Sequence, residues 1–260
     1  SDLQLLVADM AIPSLSIQQM ISLRGGKILQ SKQPTFGPRQ VAAIKKLACM
    51  AIAHPHQWSA VTQFFSLAET HNLRSSTKKV LENKGKSYHY PKDQIPLLLE
   101  AGMIRIESEE KNRVAYSFPN QVAQVFCRNK GYILELYLYL LALESGLFEE
   151  YSVGVEIDWN GIFPEVDNVQ NEIDVILRTG HSIIFISCKM ADLSVDAINE
   201  LEVYASHFVG ENCFKVVVCT GKINPVYANR CQEYGVLLVK GSQINHLIPI
   251  LKKRLKRQRK

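Results

Sequence analysis

Residues Asn171–Val175 and Phe185–Lys189 are short apolar strands that end in polar groups a buried strand has no use for. Ile173, Val175 and Leu177 alternate with Glu172, Asp174 and Arg178 nearby, and Ser182 to Ile186 is a nearly unbroken apolar run that closes on Ser187-Cys188-Lys189. Thr179-Gly180-His181 between them carries turn chemistry, so the two runs predict a hairpin. In that hairpin Asp174 and Lys189 lie side by side on one face. Such a pair is either an ordinary ion pair at a sheet end or a site. A cation held by the acid polarises a phosphate and activates a water, while the ammonium steadies the water or the charge that develops.

These residues resemble the PD-(D/E)xK nuclease superfamily, whose pattern is supplied by Asp174, the hairpin spacing and Ser187-Cys188-Lys189. The segment Asn171–Val175, with Gly131-Tyr132-Ile133-Leu134-Glu135 upstream and Val216-Val217-Val218-Cys219-Thr220 downstream, is similar to one branch, the Card1/Can2-like effectors of type III CRISPR systems. The resemblance runs over roughly residues 120 to 243. It implies a restriction-endonuclease-like α/β fold, a mixed sheet flanked by helices. It implies a metal-dependent endonuclease acting on DNA, RNA or both, an antiviral effector that works as a homodimer. Control by a cyclic oligoadenylate bound to a separate sensor domain is part of the same expectation, and so is the Cys188 backbone carbonyl as a metal ligand.

One position departs from the pattern. The superfamily places Asp or Glu two residues before its lysine, and here that position is Ser187. A hydroxyl is a far poorer ligand for a hard cation than a carboxylate. Either another acid substitutes or the site is impaired. Glu172, two residues from Asp174, projects from the same face of a regular strand. Glu135, on the preceding apolar helix, completes the expected cluster. The candidate catalytic set is thus Asp174, Lys189, Glu135 and Ser187, and the candidate metal set is Asp174, Glu135, Glu172 and Cys188. Oxygen ligands of this kind point to Mg²⁺ or Mn²⁺. The alternative is a catalytically impaired nuclease fold that serves as a nucleic-acid-binding or dimerisation scaffold.

The net charge of +5 is carried by the end of the chain. Residues 252–260 hold seven Lys or Arg, and without them 23 basic face 25 acidic residues. Residues 249–260 therefore read as a basic tail, with Lys252, Lys253, Arg254, Lys256 and Arg257 as candidate phosphate contacts free of sequence preference. A frayed, solvated helix end is the plain alternative. No apolar stretch reaches the ~20 residues of a membrane span. Six scattered cysteines with no C-x-x-C spacing argue against zinc and fit a reducing cytoplasm.

Ahead of the α/β region the chain divides into residues 1–36, a connector broken by Pro13 and Gly25-Gly26, and residues 37–119, a small winged-helix-like domain. There, helices from Pro38 and Trp58 and a short one capped by Ser75-Ser76-Thr77 precede a helix ending at Gly102 and a hairpin around Glu107–Asn112. The hairpin turn is acidic, so it repels phosphate and reads better as a spacer or dimerisation module than as a DNA reader. Lys78, Lys79, Lys84 and Lys86 are its best basic stretch. No G-x-G-x-x-G opens a strand-to-helix turn, so the chain reads as an effector part without its sensor. Residues 120–248 are the expected nuclease domain, in which Val203 is expected to pack.

Overall fold

In the computed structural model, residues 14–159, 171–208 and 213–258 are described; Asp167, the Arg257 side chain, Arg259 and Lys260 lie outside them. From the N-terminal side, α1 (Ile17–Ser22), β1 (Lys27–Lys32), α2 (Pro38–Ala53) and α3 (Pro55–Leu67) lead into β2 (Arg74–Lys78). The hairpin β3 (Val80–Asn83) and β4 (Lys86–His89), α4 (Ile95–Glu100), β5 (Arg105–Glu109) and β6 (Arg113–Ser117) follow. Then come α5 (Gln121–Arg128), α6 (Tyr132–Ser145), β7 (Glu150–Asp158), β8 (Asn171–Thr179) and β9 (Ser182–Lys189). The chain closes with α7 (Val195–Ser206), β10 (Cys213–Cys219), α8 (Pro225–Glu233), β11 (Leu237–Lys240), a 3₁₀ turn and α9 (Leu247–Gln258). Side chains start several helices: Asn120 accepts from the Ala123 N–H ahead of α5, Ser194 from Ala197 ahead of α7, and Asn224 from Val226 ahead of α8.

Six strands make one mixed sheet in the order β1-β7-β8-β9-β10-β11. The pairings from β1 through β9 are antiparallel, and β9-β10-β11 are parallel. Alternation along β9 sends Ile184, Ile186 and Cys188 into a core shared with α2, α3, α5 and α6, and Ile183 and Phe185 into a second core under α7. The protein is therefore mixed α/β, a mixed sheet with helices on both faces. The larger core runs without interruption from Ala43 in α2 to Leu255 in α9, so the helical region before residue 119 and the sheet share it. No described helix is long and apolar enough to cross a membrane.

Several sequence expectations are corrected. Residues 14–36 are more than a connector: β1 pairs with β7 and forms an edge of the large sheet. Ser75-Ser76-Thr77 lies in β2, opposite Tyr116, Ala115 and Val114 of β6, because the strand pairing and the burial of Ser75 outweigh a local capping preference. Val203 faces solvent, 54% exposed, on the outer side of α7. The basic end is a helix, not a loose tail. Leu247, Leu251 and Leu255 recur at the four-residue spacing of one helix face and are buried in the larger core, while Lys252, Lys253 and Lys256 are exposed. In the three-stranded sheet, Lys79 pairs with Glu109 at 2.7 Å, so part of the acidic charge there is matched.

This packing makes α9 part of the fold. Leu251→Ala is expected to lower unfolding free energy by about 2–5 kcal/mol, the cost of a cavity in a close-packed core. Lys253→Ala should stay within about 0.5 kcal/mol of wild type. Urea unfolding of both variants checks this, and a silent Leu251→Ala would mean that α9 does not hold to the core.

Candidate active site

The site arises where β8 and β9 part. Their ladder runs from Thr179↔Ser182 to Val175↔Ile186. Beyond that rung β8 stays with β7 as far as Ile157↔Asn171, while β9 stays with β10 as far as Cys219↔Lys189. Just past the last rung, the Cys188 N–H donates to Asp174 Oδ2 at 2.5 Å, and Ser187 Oγ donates to the same oxygen at 3.4 Å. Asp174 thus stands in the fork, half-buried, with its rotamer set by the opposite strand.

Burial is the main influence on the Asp174 carboxyl and raises its pKa. The Cys188 N–H and the Lys189 ammonium work against that rise, and Glu172 and Glu200 add to it. Glu135, in the first turn of α6, is 8% exposed. Its pKa is pushed up to about 8, first by burial, then by the negative charges of Asp174 and Glu172, with Lys32 and Lys189 opposing. The two acids therefore sense each other strongly, and both lie in the field of Lys189. Lys189 is half-buried and makes no ion pair among the described residues.

The sequence-derived candidates divide accordingly. Asp174, Glu135, Ser187 and Lys189 come together. Ser187 does not replace the missing acid; its buried hydroxyl serves Asp174. The Cys188 side chain is apolar filling in the larger core, and burial drives its thiol pKa up. Glu172 is exposed and its negative charge is felt by both Asp174 and Glu135, although strict two-residue alternation does not set its face, because alternation breaks there. Ile173 packs in the core under α7, whereas Val175 and Leu177 pack in the core under α6. β7 breaks at the matching place: Val153 lies in one core, Val155 and Ile157 in the other, and Gly154 between them has φ +58°. A Cβ at Gly154 would lie 3.2 Å from Lys32 Nζ and 3.4 Å from Glu172 Oε1, so both charged ends reach the space that this glycine leaves. Lys252, Lys253, Arg254 and Lys256 lie on α9; Arg254 donates to the Gly235 carbonyl at 3.4 Å.

Sequence reasoning missed Lys32 and Glu200, whereas Tyr204 was expected near this site and mainly packed, as it is. Lys32 stands in the segment read as a connector, and only the pairing of β1 with β7 brings it here. Glu200 is a turn before Tyr204 on α7, and the Tyr204 hydroxyl donates to the Glu172 carbonyl at 3.5 Å. The available signal was the spacing of Glu200 and Tyr204 on one helix face.

Among the described residues no three or more His, Cys, Asp or Glu gather as a preformed metal cage. Two neighbouring carboxylates with raised pKa values still fit a hard dication. Their mutual repulsion is what such an ion relieves, and Mg²⁺ typically takes one or two carboxylates and keeps several waters.

No sequence-family model and no curated protein matches the chain. Among solved structures, the chain resembles protein VC1899 from Vibrio cholerae, with a TM-score of 0.65 and 16% identity over 94% of this chain and 62% of that one. It also resembles Can2 from Sulfobacillus thermosulfidooxidans, solved in complex with cyclic tetra-adenylate, with a TM-score of 0.52 and 15% identity over 89% of this chain and 60% of that one. The chain thus spans about three fifths of the length of these structures. The likeness is one of fold.

A pH-dependent prediction follows from Glu135. Unfolded, it titrates in the ordinary carboxylate range; folded, it keeps its proton up to about pH 8. Its contribution to stability is therefore full below the ordinary range and is lost as pH rises through about 8. Glu135→Gln should gain melting temperature relative to wild type over that rise and little below pH ~5. Mg²⁺ should stabilise wild type more than the variant at the alkaline end. Parallel melting curves across the range would sink the assignment.

Proposed function

We propose that this chain is a metal-dependent endonuclease, the nuclease part of an antiviral CRISPR-associated effector controlled by a cyclic oligoadenylate. The observation that carries the reading is Asp174 in the fork of β8 and β9, with Glu135 and Lys189 in its field. The fold likeness to Can2, which was solved with cyclic tetra-adenylate, supports the effector class. On this reading the six-stranded sheet is the restriction-endonuclease-like core and the three-stranded sheet with α2 and α3 is a winged-helix-like module. The working form is a homodimer, and the oligoadenylate acts through a sensor domain outside residues 1–260.

Asp174 and Glu135 would hold Mg²⁺ or Mn²⁺, which supplies Lewis-acid polarisation of the phosphate and an acidified water. The remaining work belongs to the chain. The Cys188 N–H and Ser187 Oγ hold the Asp174 carboxylate in place, so little reorganisation is needed when the phosphate arrives. Lys189 brings a half-buried ammonium to the charge that develops on the phosphate oxygens. Lys32 adds a second cation on the Gly154 side and fits a backbone phosphate. The cations of α9, where Arg254 bonds the Gly235 carbonyl ahead of β11, would offer a separate phosphate-binding surface toward the other end of the sheet. Ser187 favours a second reading, a nuclease fold that binds nucleic acid without cutting it, since it puts a hydroxyl where the superfamily has an acid.

Asp174→Asn keeps an acceptor for the Cys188 N–H but loses the charge. It should abolish Mn²⁺-dependent cleavage of single- and double-stranded substrates with melting temperature unchanged. Lys189→Ala should lower the single-turnover rate by about 10²-fold or more, with nucleic-acid affinity nearly intact. Full activity in the Asn variant overturns the assignment; wild type inert with every substrate favours the scaffold. Replacing Lys252, Lys253 and Lys256 by Ala should flatten the salt dependence of duplex binding, by about 0.9 in slope for each phosphate that is no longer neutralised. An unchanged slope would make α9 a bystander.

A further inference from the structure

Beside Lys189 the same end of the sheet opens into a cleft of about 660 Å³, within the size range of small-molecule sites. It lies beyond the carboxyl ends of the parallel strands β10 and β11, where open α/β sheets hold their ligands. Thr220, directly after β10, lines it and donates its N–H to the Lys189 carbonyl at 2.9 Å. The cleft is therefore joined through one backbone bond to the residue placed at the reacting phosphate. Ile52 and Ile223 give it apolar walls, and Ser242, Asn245 and the exposed ammonium of Lys240 give it a polar rim. Asn245 accepts from the Tyr137 hydroxyl at 2.7 Å, and Tyr137 is two residues beyond Glu135 on α6. Gly221 lets the loops after β9 and β10 cross closely: a Cβ there would stand 2.3 Å from the Ala191 carbonyl.

Adjacent strands are about 4.8 Å apart, so the ends of β9 and β11 are separated by about 10 Å. Successive phosphates of one strand lie closer together than that, and the flexible side chains of Lys189 and Lys240 make up the difference. Apolar walls with a polar rim suit a flat base with hydrogen-bonding edges, and an exposed ammonium suits a phosphate. We propose that this cleft holds one nucleotide of the substrate strand, adjoining the phosphate that is cut, with its base against Ile52 and Ile223 and its outer phosphate on Lys240. A base inside a duplex is stacked and paired and does not enter such a cleft, so the occupant belongs to a single-stranded or locally opened segment. The inference rests on the nuclease reading for what happens to the neighbouring phosphate, and binding tests it separately.

The variants are Ser242→Trp, which fills the cleft from its exposed rim, and Lys240→Glu, which reverses the charge. Both lie outside the cluster around Asp174. Affinity for a short labelled single-stranded oligonucleotide is measured by anisotropy in the presence of chelator, with an equal-length duplex as comparison and AMP as competitor. Each variant should weaken single-strand binding at least about fivefold, the share of affinity one seated base provides, with the melting temperature kept and duplex binding less affected. Single-strand affinity equal to wild type in both folded variants overturns the proposal. So does AMP binding as tightly as the oligonucleotide, which would make the cleft a site for a free nucleotide. Cleft-dependent binding by a wild type that never cleaves with Mn²⁺ removes the nuclease reading and leaves the cleft. Cleavage with cleft-independent binding does the reverse.

Discussion

Where β8 and β9 separate, a backbone donor just beyond the last rung meets a side chain in place of a strand. The Cys188 N–H is bonded by the Asp174 carboxylate, and the Ser187 hydroxyl joins it. A buried amide without a partner is costly, so the carboxylate has a structural task whatever else it does. That task fixes where the charge points. The fork also keeps both strands paired on their outer sides, with β7 and with β10, so the opening does not loosen the sheet around it.

An acid placed in this way brings a second difficulty. Glu135 is nearly covered by α6 and its surroundings, and its proton is held to about pH 8. Two acids this close are poorly matched to an apolar setting unless a cation or a proton is present. Lys189 and Lys32 supply part of the compensation through the field they exert, without closing an ion pair on either acid. The cluster thus joins two acids whose protons are held unusually tightly to two cations that close no ion pair among the described residues.

Much of this was legible in the sequence. The alternation of β9, the turn at Gly180 and the apolar run of β10 gave the hairpin and the parallel strand after it, because each is a local pattern with a local cause. Asp174, Lys189 and Glu135 were readable as polar groups placed against that pattern. What escaped was non-local. Lys32 reaches the site through an edge pairing with β7, across more than a hundred residues of chain, and its own segment has no strong alternation. Ser75-Ser76-Thr77 carried a capping signal that strand pairing overrode. The leucine stripe of α9 was masked by the density of positive charge around it. The break in alternation at Asp174 was also invisible locally, so the charge of Glu172 reaches both acids by a route that strict two-residue spacing does not describe.

That break in alternation has a further meaning. β7 shifts phase at Gly154 and β8 shifts phase at Asp174, and the two shifts lie opposite each other in the paired strands. Each strand alone would deliver half of its apolar side chains to the wrong layer; together they stay in step and fill both cores. The glycine and the acid therefore form one structural unit. A change that regularised one strand alone would put it out of step with its neighbour, so the position of the Asp174 carboxylate is tied to a residue with no side chain.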